Sequence, residues 1–109
     1  MINEIEKYTY RVMWSEEDEE YIGLCAEFPS LSWLASTSAK ALKGIQTVVK
    51  ECTADMSKNK EEIPSAISAR NFSGKFMVRV PPEVHRHLAV EAAESGVSLN
   101  RIASVKLAH

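Results

Sequence analysis

The sequence predicts an α+β chain of 109 residues in two modules: a small antiparallel sheet of three to four strands with one long helix, then a strand-helix-helix unit that pairs with its own copy. Three observations carry this. Residues 8–28 alternate with period two on either side of an acidic interruption. From Ala39 the apolar spacing changes to threes and fours, and a second alternating run at 75–80 stops at Pro81-Pro82 ahead of two short helical patterns. With 45% hydrophobic and 26% charged residues, and only four glycines and four prolines, the chain is neither disordered over its length nor collagen-like.

Tyr8 to Trp14 is rich in aromatic and β-branched residues, with Tyr8, Tyr10, Val12 and Trp14 on one face, and reads as a strand. Glu16, Glu17, Asp18, Glu19 and Glu20 follow Ser15; five like charges in a row repel and bury nothing, so they form a solvated hairpin turn. Tyr21 to Phe28 is the return strand, with Ile22, Leu24, Ala26 and Phe28 on the face expected to be buried. Pro29 stops it for want of an N–H. Leu31 to Ala35 gives a third short strand. Leu42, Ile45, Val49, Cys52 and Met56 then lay an apolar stripe along a helix of about five turns, capped by Thr37 or Ser38. Gly44 inside that helix costs about 1 kcal/mol relative to Ala, which points to close approach of helix and sheet. Ile63-Pro64 offers a fourth, edge strand. Ser65 to Gly74 has little periodicity and reads as a linker, so the domains are 1–64 and 75–109, joined by 65–74.

In the second module Phe76, Val78 and Val80 share one strand face and Lys75, Met77 and Arg79 the other. Pro82 suits a first helical position, Val84, Leu88 and Ala92 line that helix, and Ser95-Gly96 ends it. Ser98 caps a second helix whose apolar face is Leu99, Ile102, Ala103 and Leu107. Such a unit is too small for a core of its own, since domains below about 40 residues seldom fold alone. A single strand also leaves its backbone groups unpaired. Antiparallel pairing of two copies answers both needs. Phe76, Val78, Val80, Leu88 and Ile102 become a dimer core, while Lys75, Met77 and Arg79 are displayed twice on the outer face. A two-stranded ribbon fits the major groove of B-DNA, where Arg and Lys donate to guanine O6 and N7 and an apolar side chain meets a thymine methyl. The helix start at Ser98, Leu99 and Asn100 suits a backbone phosphate. The same residues also fit a ribbon that only dimerises and leaves a basic face to solvent.

Gly74-Lys75-Phe76-Met77-Val78-Arg79-Val80-Pro81-Pro82-Glu83, followed by Glu91-Ala92-Ala93-Glu94-Ser95-Gly96-Val97-Ser98-Leu99-Asn100, resembles the ribbon-helix-helix end of HicB-type antitoxins. The first module is similar to that family in order: an aromatic strand, an acidic turn, a strand ending in Phe28-Pro29, a Ser/Thr cluster, and a helix containing Ala41-Leu42. The resemblance covers about residues 8–108. It implies a partial ribonuclease-H-like N-terminal fold that blocks a HicA-like toxin, itself an mRNA-cleaving protein built like a double-stranded-RNA-binding domain. It also implies a C-terminal homodimer that binds operator DNA and represses its own operon, such dimers being free to pair further into a tetramer. Carried over, the base-reading positions are Lys75, Met77 and Arg79 and the phosphate site is Ser98 to Asn100. Two departures stand out. Met77 occupies a place where relatives often have a polar residue, and it cannot make a bidentate bond to a base. Pro29-Ser30-Leu31-Ser32 replaces the Pro-Gly-Cys type of turn common in that family.

Residues 1–70 hold eight Lys/Arg against twelve Asp/Glu, giving −4, and residues 71–109 hold five against three, giving +2, which together make the net −2. On the resemblance, Glu16, Glu17 and Asp18 would meet the basic surface of the RNA-binding toxin. No catalytic residue, metal or cofactor is expected. A nuclease would need carboxylates converging on two metal ions roughly 4 Å apart. Glu16 to Glu20 point apart along a turn, leaving Glu27 and Asp55 as the candidates for a residual cluster. His85 and His87, two apart on a helix, lie on different faces with no acid or Cys at metal spacing. Cys25 and Cys52 have no C-x-x-C spacing and suit buried reduced thiols. The charge-free stretch between Glu27 and Lys40 falls short of the roughly 20 residues of a membrane span. Glu4, Glu6 and Lys7 stand where a secretory signal has its basic start and apolar run, so a cytoplasmic location is expected. The alternatives are a solitary ribbon-helix-helix transcriptional regulator, or an assembly protein that dimerises without binding DNA.

Overall fold

Two units divide the chain between Phe72 and Ser73. The structure, a computed structural model, describes residues 4–109. The first unit runs α1 (Glu4–Lys7), β1 (Tyr10–Ser15), β2 (Glu20–Cys25), β3 (Ser32–Ala35), α2 (Ser38–Lys58) and a single 3₁₀ turn, Ile67–Ala69. Its sheet is antiparallel in the order β1-β2-β3. The acidic run forms the β1–β2 turn, as its self-repulsion demands. Ser15 Oγ donates to the Asp18 carboxylate at 2.8 Å, and Glu19 takes a left-handed conformation with φ 52°.

The face of β2 turned to the helix is the opposite of the one its apolar residues suggest. Gly23 and Cys25 are buried, whereas Ile22 and Leu24 are half-buried on the other side. The reason is steric. A Cβ on Gly23 would stand 2.5 Å from the Ala41 carbonyl oxygen and 2.8 Å from Ile45 Cγ2, so the helix backbone rests where only glycine leaves room. Gly44 makes the reciprocal concession, since a Cβ there would fall 1.9 Å from Cδ1 of the Trp33 indole. Thr37 caps α2 as expected, its hydroxyl oxygen accepting the Lys40 N–H at 3.2 Å. The buried line of α2 is Ala41, Ile45, Val49 and Thr53; Ile45 and Val49 lie on the expected stripe, whereas Leu42 at its start is exposed and Ala41 is buried in its stead. Cys52 and Met56 pack from the flank.

The core lies at the open end of the hairpin, where Tyr8, Cys25, Phe28, Ile45, Val49 and Ala66 come together. Tyr8 meets Phe28 edge-on at 5.4 Å between ring centres and donates its hydroxyl to the Pro64 carbonyl at 2.7 Å. The fourth strand expected at Ile63-Pro64 does not form, and the sheet has three strands among the described residues. The Pro64 carbonyl is used by a phenol, not by a ladder. Residues 65–70, read from sequence as the start of a linker, are tied to this unit. Ala66 is fully buried; its N–H donates to Glu4, the Ile67 N–H donates to Glu27 at 2.9 Å, and Ser68 Oγ donates to the Lys7 carbonyl.

The second unit contains α3 (Pro82–Ser95) and α4 (Leu99–Leu107). Pro82 occupies the first turn of α3, and Gly96 ends it in the left-handed conformation at φ 69°, with the Val97 N–H returning to the Ala92 carbonyl at 3.1 Å. Ser98 caps α4 by accepting the Arg101 N–H at 3.1 Å. Ala92 is the buried contact of this helical hairpin, and Lys106 pairs with Glu91 at 3.2 Å across it.

Gly23→Ala should lower the stability of the first unit by about 1–3 kcal/mol, because the obstructing atom belongs to the backbone. Gly44→Ala should cost less, since the half-exposed Trp33 indole can swing aside and Ala regains up to about 1 kcal/mol of helix propensity. Urea unfolding followed by the fluorescence of Trp14 and Trp33, both in this unit, measures the difference; equal losses would contradict this account of the helix–sheet contact.

Candidate functional site

The segment 75–80 is the most exposed apolar stretch of the second unit. Ser73 Oγ accepts the Lys75 N–H at 3.1 Å around Gly74, whose φ is +84°, and so sets a tight turn before the segment begins. Beyond it no strand forms. Phe76 is 75% exposed and Met77 86%, with Val78 and Val80 also exposed. A β-strand is defined by its neighbour, and within one chain the described residues offer this segment none.

Lys75, Met77 and Arg79 are therefore brought together along one solvated segment, spaced two apart. Of the residues assigned to a dimer core, Phe76, Val78 and Val80 are bare, whereas Leu88 and Ile102 are half-buried between α3 and α4. Val84, Val90 and Val105 add further exposed apolar surface to these helices. At the start of α4 the Ser98 hydroxyl oxygen is occupied by the Arg101 N–H. The amides of Leu99 and Asn100, the first two of the helix, have no intrahelical acceptor and point out of its N-terminus. His85 and His87 are both exposed on α3.

In the first unit Glu16 accepts the Trp14 indole N–H at 2.7 Å and Asp18 accepts the Ser15 hydroxyl, while Glu17 is exposed at the tip. Trp14 also meets Tyr21 edge-on at 5.2 Å. Glu27 proves to be structural. Its Oε1 accepts the Thr9 N–H at 2.9 Å and the Cys25 thiol at 3.5 Å, and its Oε2 accepts the Thr9 hydroxyl at 3.2 Å and the Ile67 N–H at 2.9 Å. Burial opposes its ionisation, but the Ile67 and Thr9 amides outweigh that and hold the carboxyl below its ordinary value. Asp55 accepts from Asn59 on its own helix. Among the described residues no three His, Cys, Asp or Glu side chains are grouped to hold a metal ion. Cys25 is buried and Cys52 half-buried, both unbridged, and burial pushes the Cys25 thiol above its usual value. No helix of the described residues is long and apolar enough to cross a membrane.

The family model described as the HicB family matches residues 58–107, from the last residue of α2 through the exposed segment to the end of α4. That stretch, a little under half of the chain, is similar to the HicB family. The HicB family is one of antitoxins, generally without enzymatic activity. No curated protein and no solved structure gives a significant match. Sequence reasoning missed the role of Glu27, whose partners Thr9 and Ile67 lie 18 and 40 residues away. No local pattern encodes such a contact.

The lowered pKa of Glu27 gives a signed expectation. Its contribution to folding is fully present above its unfolded value, about 4.5, and is lost as pH falls through the lower folded value. Glu27→Gln should destabilise the first unit at neutral pH, and the gap from wild type should narrow as pH drops below about 4.5. Urea midpoints measured across that range test it; a gap independent of pH would show that the carboxylate charge is not what binds the two amides.

Proposed function

We propose that this chain is a HicB-type antitoxin that neutralises a HicA-like, mRNA-cleaving toxin by direct binding through its first unit and represses its own operon through its second. The observation that carries the proposal is the segment 75–80, which alternates apolar and polar side chains, stands exposed without a strand neighbour, and lies inside the HicB-family match. Two copies laid antiparallel satisfy its backbone and bury Phe76, Val78 and Val80 against Leu88 and Ile102 of both chains. That pairing is a homodimer, with a tetramer of paired dimers as its natural extension. It turns Lys75, Met77 and Arg79 outward in duplicate, where a ribbon in the major groove of operator DNA reads bases with two cations per strand and meets a thymine methyl with Met77. Leu99 and Asn100, with Ser98 holding the helix start, then receive a backbone phosphate and fix register without reading sequence. The activity is by occupancy and calls for no catalytic residue, metal or cofactor. The chemistry fits a cytoplasmic protein, since both proposed partners, a toxin of mRNA and an operator, are there.

Two measurements test the halves of this reading. Phe76→Asp should convert the full chain to a monomer in sedimentation while its far-ultraviolet circular dichroism keeps the helical signal of the first unit; a dimer that persists removes the ribbon. Arg79→Ala should weaken binding to the DNA upstream of its reading frame by about 1–3 kcal/mol in a gel-shift titration and relax discrimination at one base position in each half-site. Specific binding that survives Arg79→Ala unchanged assigns the ribbon to dimerisation alone.

A further inference from the structure

Among the described residues of the first unit, no element packs on the sheet face turned away from α2. An antiparallel sheet with one packed face usually turns polar side chains to water on the other. Here the register sets Met13 opposite Ile22 and Ile22 opposite Leu34, an apolar row across all three strands, with Leu24 beside it opposite Arg11. Met13 is 47% and Leu34 40% exposed. Past Leu24 and Arg11 the surface dips into a shallow open depression bordered by Ala26 and Pro29. At the other end stands the turn Glu16 to Glu20, and none of its five carboxylates has a Lys or Arg in ion-pair distance among the described residues. The turn is held in place by the Trp14–Glu16 and Ser15–Asp18 hydrogen bonds, so its charges are ordered before any partner arrives.

We infer that this outer face docks a basic protein surface, an apolar ridge seating on Met13, Ile22 and Leu34 while flanking Lys or Arg side chains reach the acidic turn. The inference deepens the toxin-binding reading and rests on it, since a domain that grips double-stranded RNA presents such a basic surface. Charge selects the occupant. A second copy of this chain brings a single cation on the same face, Arg11, against five carboxylates. Nucleic acid is repelled by the turn and gains nothing from an apolar row. A basic protein complements both features, with the acids accelerating encounter and the apolar row slowing release.

The probe is the HicA-type toxin of the neighbouring reading frame, silenced by substitution, titrated against the full chain. Met13→Ser/Leu34→Ser, at two exposed positions, should weaken binding roughly tenfold or more, chiefly through faster dissociation. Glu17→Lys should slow association and flatten its salt dependence, whereas Gln46→Ala/Lys50→Ala, on the exposed side of α2, should change neither. If the wild type binds and the Met13/Leu34 variant binds equally well with unchanged circular dichroism, the surface assignment is overturned and the toxin reading stands. If no toxin is encoded there, or the wild type does not bind it, the toxin reading falls and the surface with it. Loss of a higher assembly by the Met13/Leu34 variant without toxin would give the face to a second copy and overturn the proposal.

Discussion

The Glu27 carboxylate joins the end of β2, two residues before it, to two segments that are distant in sequence. It accepts from Thr9 ahead of β1, from Cys25 at the end of β2, and from Ile67 after α2. Thr9 gives both its amide and its hydroxyl, so four donors share the two oxygens of one carboxylate, and the closure of the first unit leans on a single charge. That closure brings Ala66 into the core with Tyr8 and Phe28.

Both modules leave a surface unfinished, and they do so differently. The first has a complete core, built by the approach of α2 to the sheet at Gly23 and Gly44, and a second sheet face that is apolar but unlayered. The second has a capped helical hairpin whose contacts reach only Ala92 and a few half-buried neighbours, with its N-terminal segment bare. An exposed face on a finished fold accepts a rigid partner with little rearrangement. A segment that lacks its strand neighbour would, on the proposed dimer, gain its structure in the act of pairing.

Much of this was legible in the sequence where the signal is local. Thr37, Pro82, Gly96 and Ser98 all occupy the helix-end positions their chemistry favours. The acidic run forms the turn that its self-repulsion requires. The larger apolar residues of β2, Ile22 and Leu24, point to the wrong inner face, and the helix seats on Gly23 and Cys25, because distance of approach and not hydrophobicity decides which side is covered there. The same close approach buries Ala41 in place of Leu42, while Ile45 and Val49 hold the places their spacing predicts. Residues 65–70 carry no periodicity, since the Ala66 and Ile67 main-chain amides and the Ser68 hydroxyl, rather than an apolar side-chain pattern, tie them to the first unit. For the functional surfaces, the alternation at 75–80 and the charges at 16–20 were visible, while the row Met13, Ile22 and Leu34 emerges only when register is known.

The absence of a strand neighbour for residues 75–80 has a consequence for dose. On the proposed reading the DNA-contacting ribbon does not exist in a lone chain, so its amount scales with the square of chain concentration well below the dimer dissociation constant. The outer face of the first unit is complete in each copy, and its amount scales in direct proportion. As synthesis of the chain falls, the two capacities part company: operator occupancy collapses while each remaining chain still holds one partner. On that proposal, a single exposed hexapeptide gives promoter control a steeper response to chain number than toxin control.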